Sequence, residues 1–149
     1  MILAFLAFFG TPNPSTANET SSRSPLVVGN DRGGSLRDRI YEIRALRETG
    51  RPVIIAGDIC YSTCTMYLGL PQTCISPNTT FGFHGPSSYG RPLDPEVFDR
   101  ASVLIKDHYP PALQAWYMSV ARHEIRRLHR VRSEELVRFG VRQCEATVP

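Results

Sequence analysis

The chain has almost no lysine: of seventeen basic residues among 149, only Lys106 is not arginine. Fourteen acidic residues leave a formal net charge of +3, too mild a surplus to mark a nucleic-acid partner. No apolar stretch reaches the roughly 20 residues that a membrane-crossing helix needs. Four cysteines are present, but none forms a C-x-x-C pair, which argues against a zinc or dithiol redox site. There is no Walker-type loop, so any ATP dependence requires a separate partner. At 149 residues and 42% hydrophobic content, the chain suffices for one core and is too short for two ordinary domains.

What is present starts with the apolar run Ile2 to Phe9, followed by a Pro-, Ser- and Thr-rich stretch. This reads as the core of a signal peptide over residues 1–17, with Ser15 and Ala17 as the small residues before cleavage. A basic flank before the run is missing, so the true start lies upstream or the run is a short buried segment. Residues 18–24 read as a flexible tail. Export to the periplasm or outside the cell makes disulfides the expected state of Cys60, Cys64, Cys74 and Cys144, for which three pairings are open.

From Pro25 the pattern is that of an α/β domain. Leu26 to Val28 predicts a short buried strand, and Gly29 to Gly34 a turn-rich loop. Ser35 is placed to cap a helix running to Thr49, because Leu36, Ile40, Ile43 and Leu46 recur at helical spacing and Gly50 ends it. Pro52 to Ala56 predicts a second strand, Gly57 to Thr65 a turn into a short helix, and Cys74-Ile75 and Thr80 to Phe83 further strands. The order β-α-β-α-β implies parallel strands with right-handed crossovers. Asp94 to about His129 reads as mostly helical with a break at Pro110-Pro111. A last helix opens at Ser133, and Val141 to Cys144 predicts a terminal strand.

Three features carry chemistry. Ser62 lies where a strand gives way to a helix, a place for a helix cap or for an exposed nucleophile. His84 ends a strand before Gly85-Pro86, as a structural histidine or a general base at the strand's C-terminal edge. Gly33-Gly34 is a tight turn or a loop that aims backbone N–H groups at an oxyanion. The run from Arg122 to Arg142, with His123, Arg126, Arg127, His129, Arg130, Arg132 and Arg138, is either a solvated face or a surface for an anionic partner.

The order glycine pair, serine at a strand-to-helix turn, histidine at the end of the next strand resembles the Clp protease proteolytic subunit and its crotonase-superfamily relatives, including exported bacterial Clp-like proteins. The likeness spans about Val27 to Cys144, with Cys60-Tyr61-Ser62-Thr63-Cys64-Thr65 at the nucleophile, His84-Gly85-Pro86 at the histidine, and Ser133 to Val141 in the late Ser-x-Glu and Gly-Val segment. It implies a crotonase/Clp-protease-like spiral of short parallel strands flanked by helices over residues 25–149. It implies Ser62 as nucleophile, His84 as base, and the N–H groups of Gly34 and Thr63 as the oxyanion hole. It also implies a peptide or protein substrate and self-association as trimers or stacked rings; no cofactor is expected, nor, from the mild charge and the short apolar run, a nucleic-acid partner or a membrane span after signal cleavage.

One departure matters. Where that family places a catalytic aspartate, this chain has Arg127 to Arg132. The histidine's orienting group is then absent or comes from Asp94, Asp99 or Glu124. A serine hydrolase with a Ser-His dyad is therefore weighed against a catalytically degenerate binding or assembly protein. A coenzyme A thioester enzyme is a weaker third reading, because an exported chain rarely meets coenzyme A. A serine-lysine dyad would need Lys106, and a cysteine nucleophile would need a free thiol beside His84. On the fold that the resemblance implies, Cys74 lies at the opposite end of the sheet from Cys60, which disfavours a bridge between them, and the expected pairing is Cys60 with Cys64 and Cys74 with Cys144.

Overall fold

The computed structural model describes residues 24–145. The expected signal peptide and all of the tail except Ser24 lie outside the described residues. The architecture is mixed α/β, with short strands in two three-stranded sheets and helices around them.

The first sheet contains β1 (Leu26–Val28), β2 (Val53–Ile55) and β4 (Thr73–Ile75), all parallel, with Leu26, Val53 and Thr73 in register. Val53, Ile55 and Ile75 are fully buried, as is usual for parallel strands inside an α/β domain, while Val27 on β1 is exposed. The second sheet pairs β3 (Ile59–Tyr61) in parallel with β5 (Thr80–Phe83), and β5 antiparallel with β6 (His129–Arg132).

Successive passes of the chain feed both sheets. β2 leads directly to β3 and β4 to β5, while β1 runs on to Asp31, which bridges in parallel to Cys60. The strand β3 was not expected, and its cause is a close crossing of two chain segments distant in sequence. A side chain on Gly57 would overlap the backbone of Gly29 and Asn30. That crossing, fastened by Asn30 Oδ1 accepting from the N–H groups of Asp58 (2.7 Å) and Ile59 (3.3 Å), turns the chain out of the first sheet and into the second.

Helix α1 (Leu36–Thr49) is capped as expected: Ser35 Oγ accepts from the N–H of Asp38, and Gly50 ends the helix in the left-handed region at φ 63°. Its buried Ile43 and Leu46 face the core. A 3-10 helix over Ser62–Gly69 follows β3 and is almost wholly buried. The predicted long helical arm is two helices, α2 (Pro95–Lys106) and α3 (Pro111–Ser119), each opened by a proline whose missing N–H costs nothing there. The arm stops well short of His129, which instead begins β6. Val131 points inward from that strand, and Arg130 and Arg132 point out. Helix α4 (Ser133–Arg138) follows, and the expected terminal strand is reduced to one parallel bridge between Ile75 and Gln143.

The cysteine sulfurs lie in two pairs at disulfide distance, Cys60 with Cys64 at 1.99 Å and Cys74 with Cys144 at 2.03 Å. These are the pairs that the resemblance implied, but the geometry behind that expectation is corrected. Cys60 and Cys74 belong to different sheets, not to opposite ends of one. No helix among the described residues is long and apolar enough to cross a membrane.

Candidate active site

Ser62 and His84 meet. The Ser62 hydroxyl lies 2.8 Å from His84 Nε2, and both side chains are half-buried at the ends of the adjacent parallel strands β3 and β5. The other ring nitrogen, Nδ1, is 2.7 Å from the carbonyl oxygen of Gly85. A carbonyl can only accept, so Nδ1 carries the proton and Nε2 is left to accept from the Ser62 hydroxyl. That is the tautomer a general base needs.

None of the three carboxylates considered for the histidine takes this place. Asp99 is held by Arg122 at 2.5 Å, Asp94 is exposed at the start of α2, and Glu124 contributes its backbone carbonyl, which accepts from the N–H of Gly85 at 2.7 Å. The orienting group is a backbone carbonyl one residue along the chain.

Ser62 sits in the left-handed region, with φ 58°. For a residue with a Cβ this costs about 1 kcal/mol, so the surrounding structure must impose it. Three restraints do so. The Cys60–Cys64 bridge spans the turn, His84 takes the hydroxyl, and Thr65 Oγ1 donates to the Ser62 carbonyl at 2.7 Å.

Two tyrosines from the helical arm support the pair from beneath. Tyr109 Oη is 2.7 Å from Thr65 Oγ1. The single proton of Thr65 is already spent on Ser62, so Tyr109 is the donor. Tyr117 donates to the carbonyl of His84 at 3.3 Å. The two rings meet edge to face at 5.3 Å. Burial pushes both phenols well above their ordinary pKa, which keeps them protonated and donating.

The glycine loop is fixed by an ion-pair network. Asp31 Oδ1 accepts from the N–H of Gly33 at 2.7 Å, while Oδ2 receives the guanidinium of Arg39 at 2.6 Å. Arg39 also reaches Glu42 at 3.0 Å and hydrogen-bonds the hydroxyl of Tyr67, whose ring it covers at 4.5 Å. One arginine thus ties the loop, α1 and the 3-10 helix together. Burial raises the Tyr67 phenol above its usual range, and the adjacent Arg39 charge only partly offsets this.

Gly34, Ser62, Thr63 and His84 line one cavity of about 610 Å³, whose wall also includes Met66, Leu93, Ile105 and Tyr109. None of the lining residues is Asp, Glu, Lys or Arg. Lys106 does not line it and lies 2.8 Å from Asp107. No cysteine among the described residues is free, so no thiol competes with Ser62. Among the described residues no group of three or more His, Cys, Asp or Glu side chains is arranged to hold a metal ion.

Asp31 had a local signal, since an aspartate two residues before a turn glycine commonly accepts from its N–H. Arg39, Tyr109 and Tyr117 had none. Thr65 and Tyr109 are separated by 44 residues. No protein-family model matches the chain, and no match among curated proteins is found.

Proposed function

We propose that the protein is an exported serine hydrolase of Clp-like type that cleaves peptide bonds through an acyl-enzyme at Ser62. The observation that carries this reading is the 2.8 Å contact between Ser62 Oγ and His84 Nε2, with Nδ1 committed to the Gly85 carbonyl. Ser62 Oγ attacks the substrate carbonyl carbon as its proton passes to Nε2. The C–N bond then breaks, the leaving amine takes that proton, and water activated by His84 hydrolyses the ester. The N–H groups of Thr63 and Gly34 are the proposed oxyanion donors. Gly33 does not serve, because Asp31 already takes its N–H.

Successive chain passes that feed two stacks of short, mostly parallel strands support a crotonase/Clp-like spiral. The two cysteine pairs suit an oxidising compartment, the periplasm or the cell exterior. Self-association in rings remains part of the proposal by resemblance alone.

A second reading rests on the Gly85 carbonyl. A neutral acceptor sets the tautomer but cannot stabilise an imidazolium as a carboxylate does. That favours a slow enzyme or a binding protein that has lost catalysis; loss of the triad carboxylate costs about 10⁴ in turnover in serine proteases. The experiment that separates them is intact-mass spectrometry of the oxidised protein after incubation with a fluorophosphonate. A one-to-one adduct on the wild type, absent from Ser62→Ala and His84→Ala, supports the hydrolase. No adduct on folded wild type supports the binding protein.

A further inference from the structure

The hairpin after His84 carries a residue that its own turn disfavours. Ser88 and Arg91 exchange both backbone hydrogen bonds, at 2.9 and 3.0 Å, leaving a two-residue loop of Tyr89 and Gly90. Both loop residues have positive φ, 52° and 77°, as a type I′ turn demands. Glycine reaches that region freely and asparagine tolerates it. A tyrosine there sets its Cβ against the backbone. Packing returns nothing, because Tyr89 is 104% exposed. The turn is nevertheless well fixed, with Ser87 Oγ accepting from the N–H of Gly90 at 3.2 Å.

Tyr89 stands at the rim of the same 610 Å³ cavity as Ser62 and His84. The wall of that cavity includes the apolar side chains of Met66, Leu93 and Ile105, and no lining residue is Asp, Glu, Lys or Arg. A strained residue that touches nothing in its own fold, at the mouth of a cavity, points to contact with a ligand. We propose that Tyr89 determines specificity by closing its ring over an apolar segment of the substrate, beyond the carbonyl held at Ser62. This rests on the hydrolase reading. A ring with two side-chain torsions on a paired hairpin loses little freedom on contact, which suits it to the task.

The test uses the full oxidised chain and two fluorophosphonates, one with a short isopropyl group and one with a decyl chain. It compares their labelling rate constants in wild type, Tyr89→Gly, Tyr89→Asn and Tyr89→Phe. Tyr89→Asn, which suits the turn, is expected to melt no lower than wild type. In Tyr89→Gly and Tyr89→Asn the short-probe rate stays within about twofold and the long-probe rate falls roughly tenfold, the scale of one lost aromatic contact, while Tyr89→Phe keeps both. An unchanged ratio of long- to short-probe rates in the Gly and Asn variants overturns the proposal and leaves the hydrolase reading intact. A lower melting temperature for Tyr89→Asn also overturns it, by showing that the ring serves the fold. A folded wild type that neither probe labels overturns the hydrolase reading and this inference with it.

Discussion

A Cβ on Gly33 would lie 2.5 Å from Ser62 Cβ and 2.9 Å from its Oγ. Gly33 also has φ 92°, so a side chain there is excluded both by backbone conformation and by the serine it would strike. Gly33→Ala is expected to destabilise the fold by about 2–3 kcal/mol, from left-handed strain plus overpacking. It should also slow fluorophosphonate labelling at least tenfold, on the order of the cost of a misplaced catalytic group. Urea denaturation and labelling under conditions where both proteins are fully folded separate the two effects.

Arg39 is nearly buried while its partners are less so, with side-chain exposures of 11% for Arg39, 20% for Asp31 and 44% for Glu42. Removing it leaves Asp31 without its counter-charge, but with some access to water. Arg39→Leu is expected to cost about 2 kcal/mol, below the range for a fully buried pair. Arg39→Lys should recover only part, because an ammonium cannot fork between Asp31, Glu42 and Tyr67. A lower urea midpoint at unchanged slope for both, with Lys between wild type and Leu, is the outcome that supports this; an Arg39→Lys as stable as wild type speaks against it.

Local signals carried much of the fold. Helix α1 was legible at both ends because Ser35 and Gly50 act within a few residues of the groups they satisfy, and Leu26 to Val28, Val53 to Ile55 and Thr80 to Phe83 declared themselves by apolar runs. The strand β3 was hidden because it has three residues and its direction is set by a crossing with Gly29-Asn30, a contact across 28 residues. β6 was hidden because an arginine-rich strand with one inward valine resembles a solvated helix face. Arg126, Arg127, Arg130, Arg132 and Arg138 are exposed and make no ion pair with the described residues. At the site, Ser62 and His84 were legible from motif order. The Gly85 carbonyl was not, because a backbone acceptor leaves no residue type to find.

The two supporting tyrosines differ in what they hold and how closely. The Tyr109 bond to Thr65 is 2.7 Å long and buried, whereas the Tyr117 bond to His84 is 3.3 Å and marginal. Tyr109→Phe is expected to cost about 1–2 kcal/mol, since Thr65 loses a buried donor, and Tyr117→Phe no more than about 0.5 kcal/mol. Thermal melts of the two variants check the order. Equal losses would show that the difference between the two hydrogen bonds does not set the order of stability.

The cysteine pairs separate stability from catalysis. The Cys74–Cys144 link closes a span of 70 residues and the Cys60–Cys64 link a span of 4. In the loop-entropy account the long link contributes about 4 kcal/mol and the short one about 2 kcal/mol. Only the short link flanks Ser62 and restrains its left-handed backbone. The double variant Cys74→Ala/Cys144→Ala should therefore lose more in urea denaturation yet label at a near wild-type rate once folded. Cys60→Ala/Cys64→Ala should lose less stability and label far more slowly, because Ser62 is then free to relax away from His84. A Cys60→Ala/Cys64→Ala protein that labels at the wild-type rate would show that Thr65 and His84 alone suffice to hold the nucleophile.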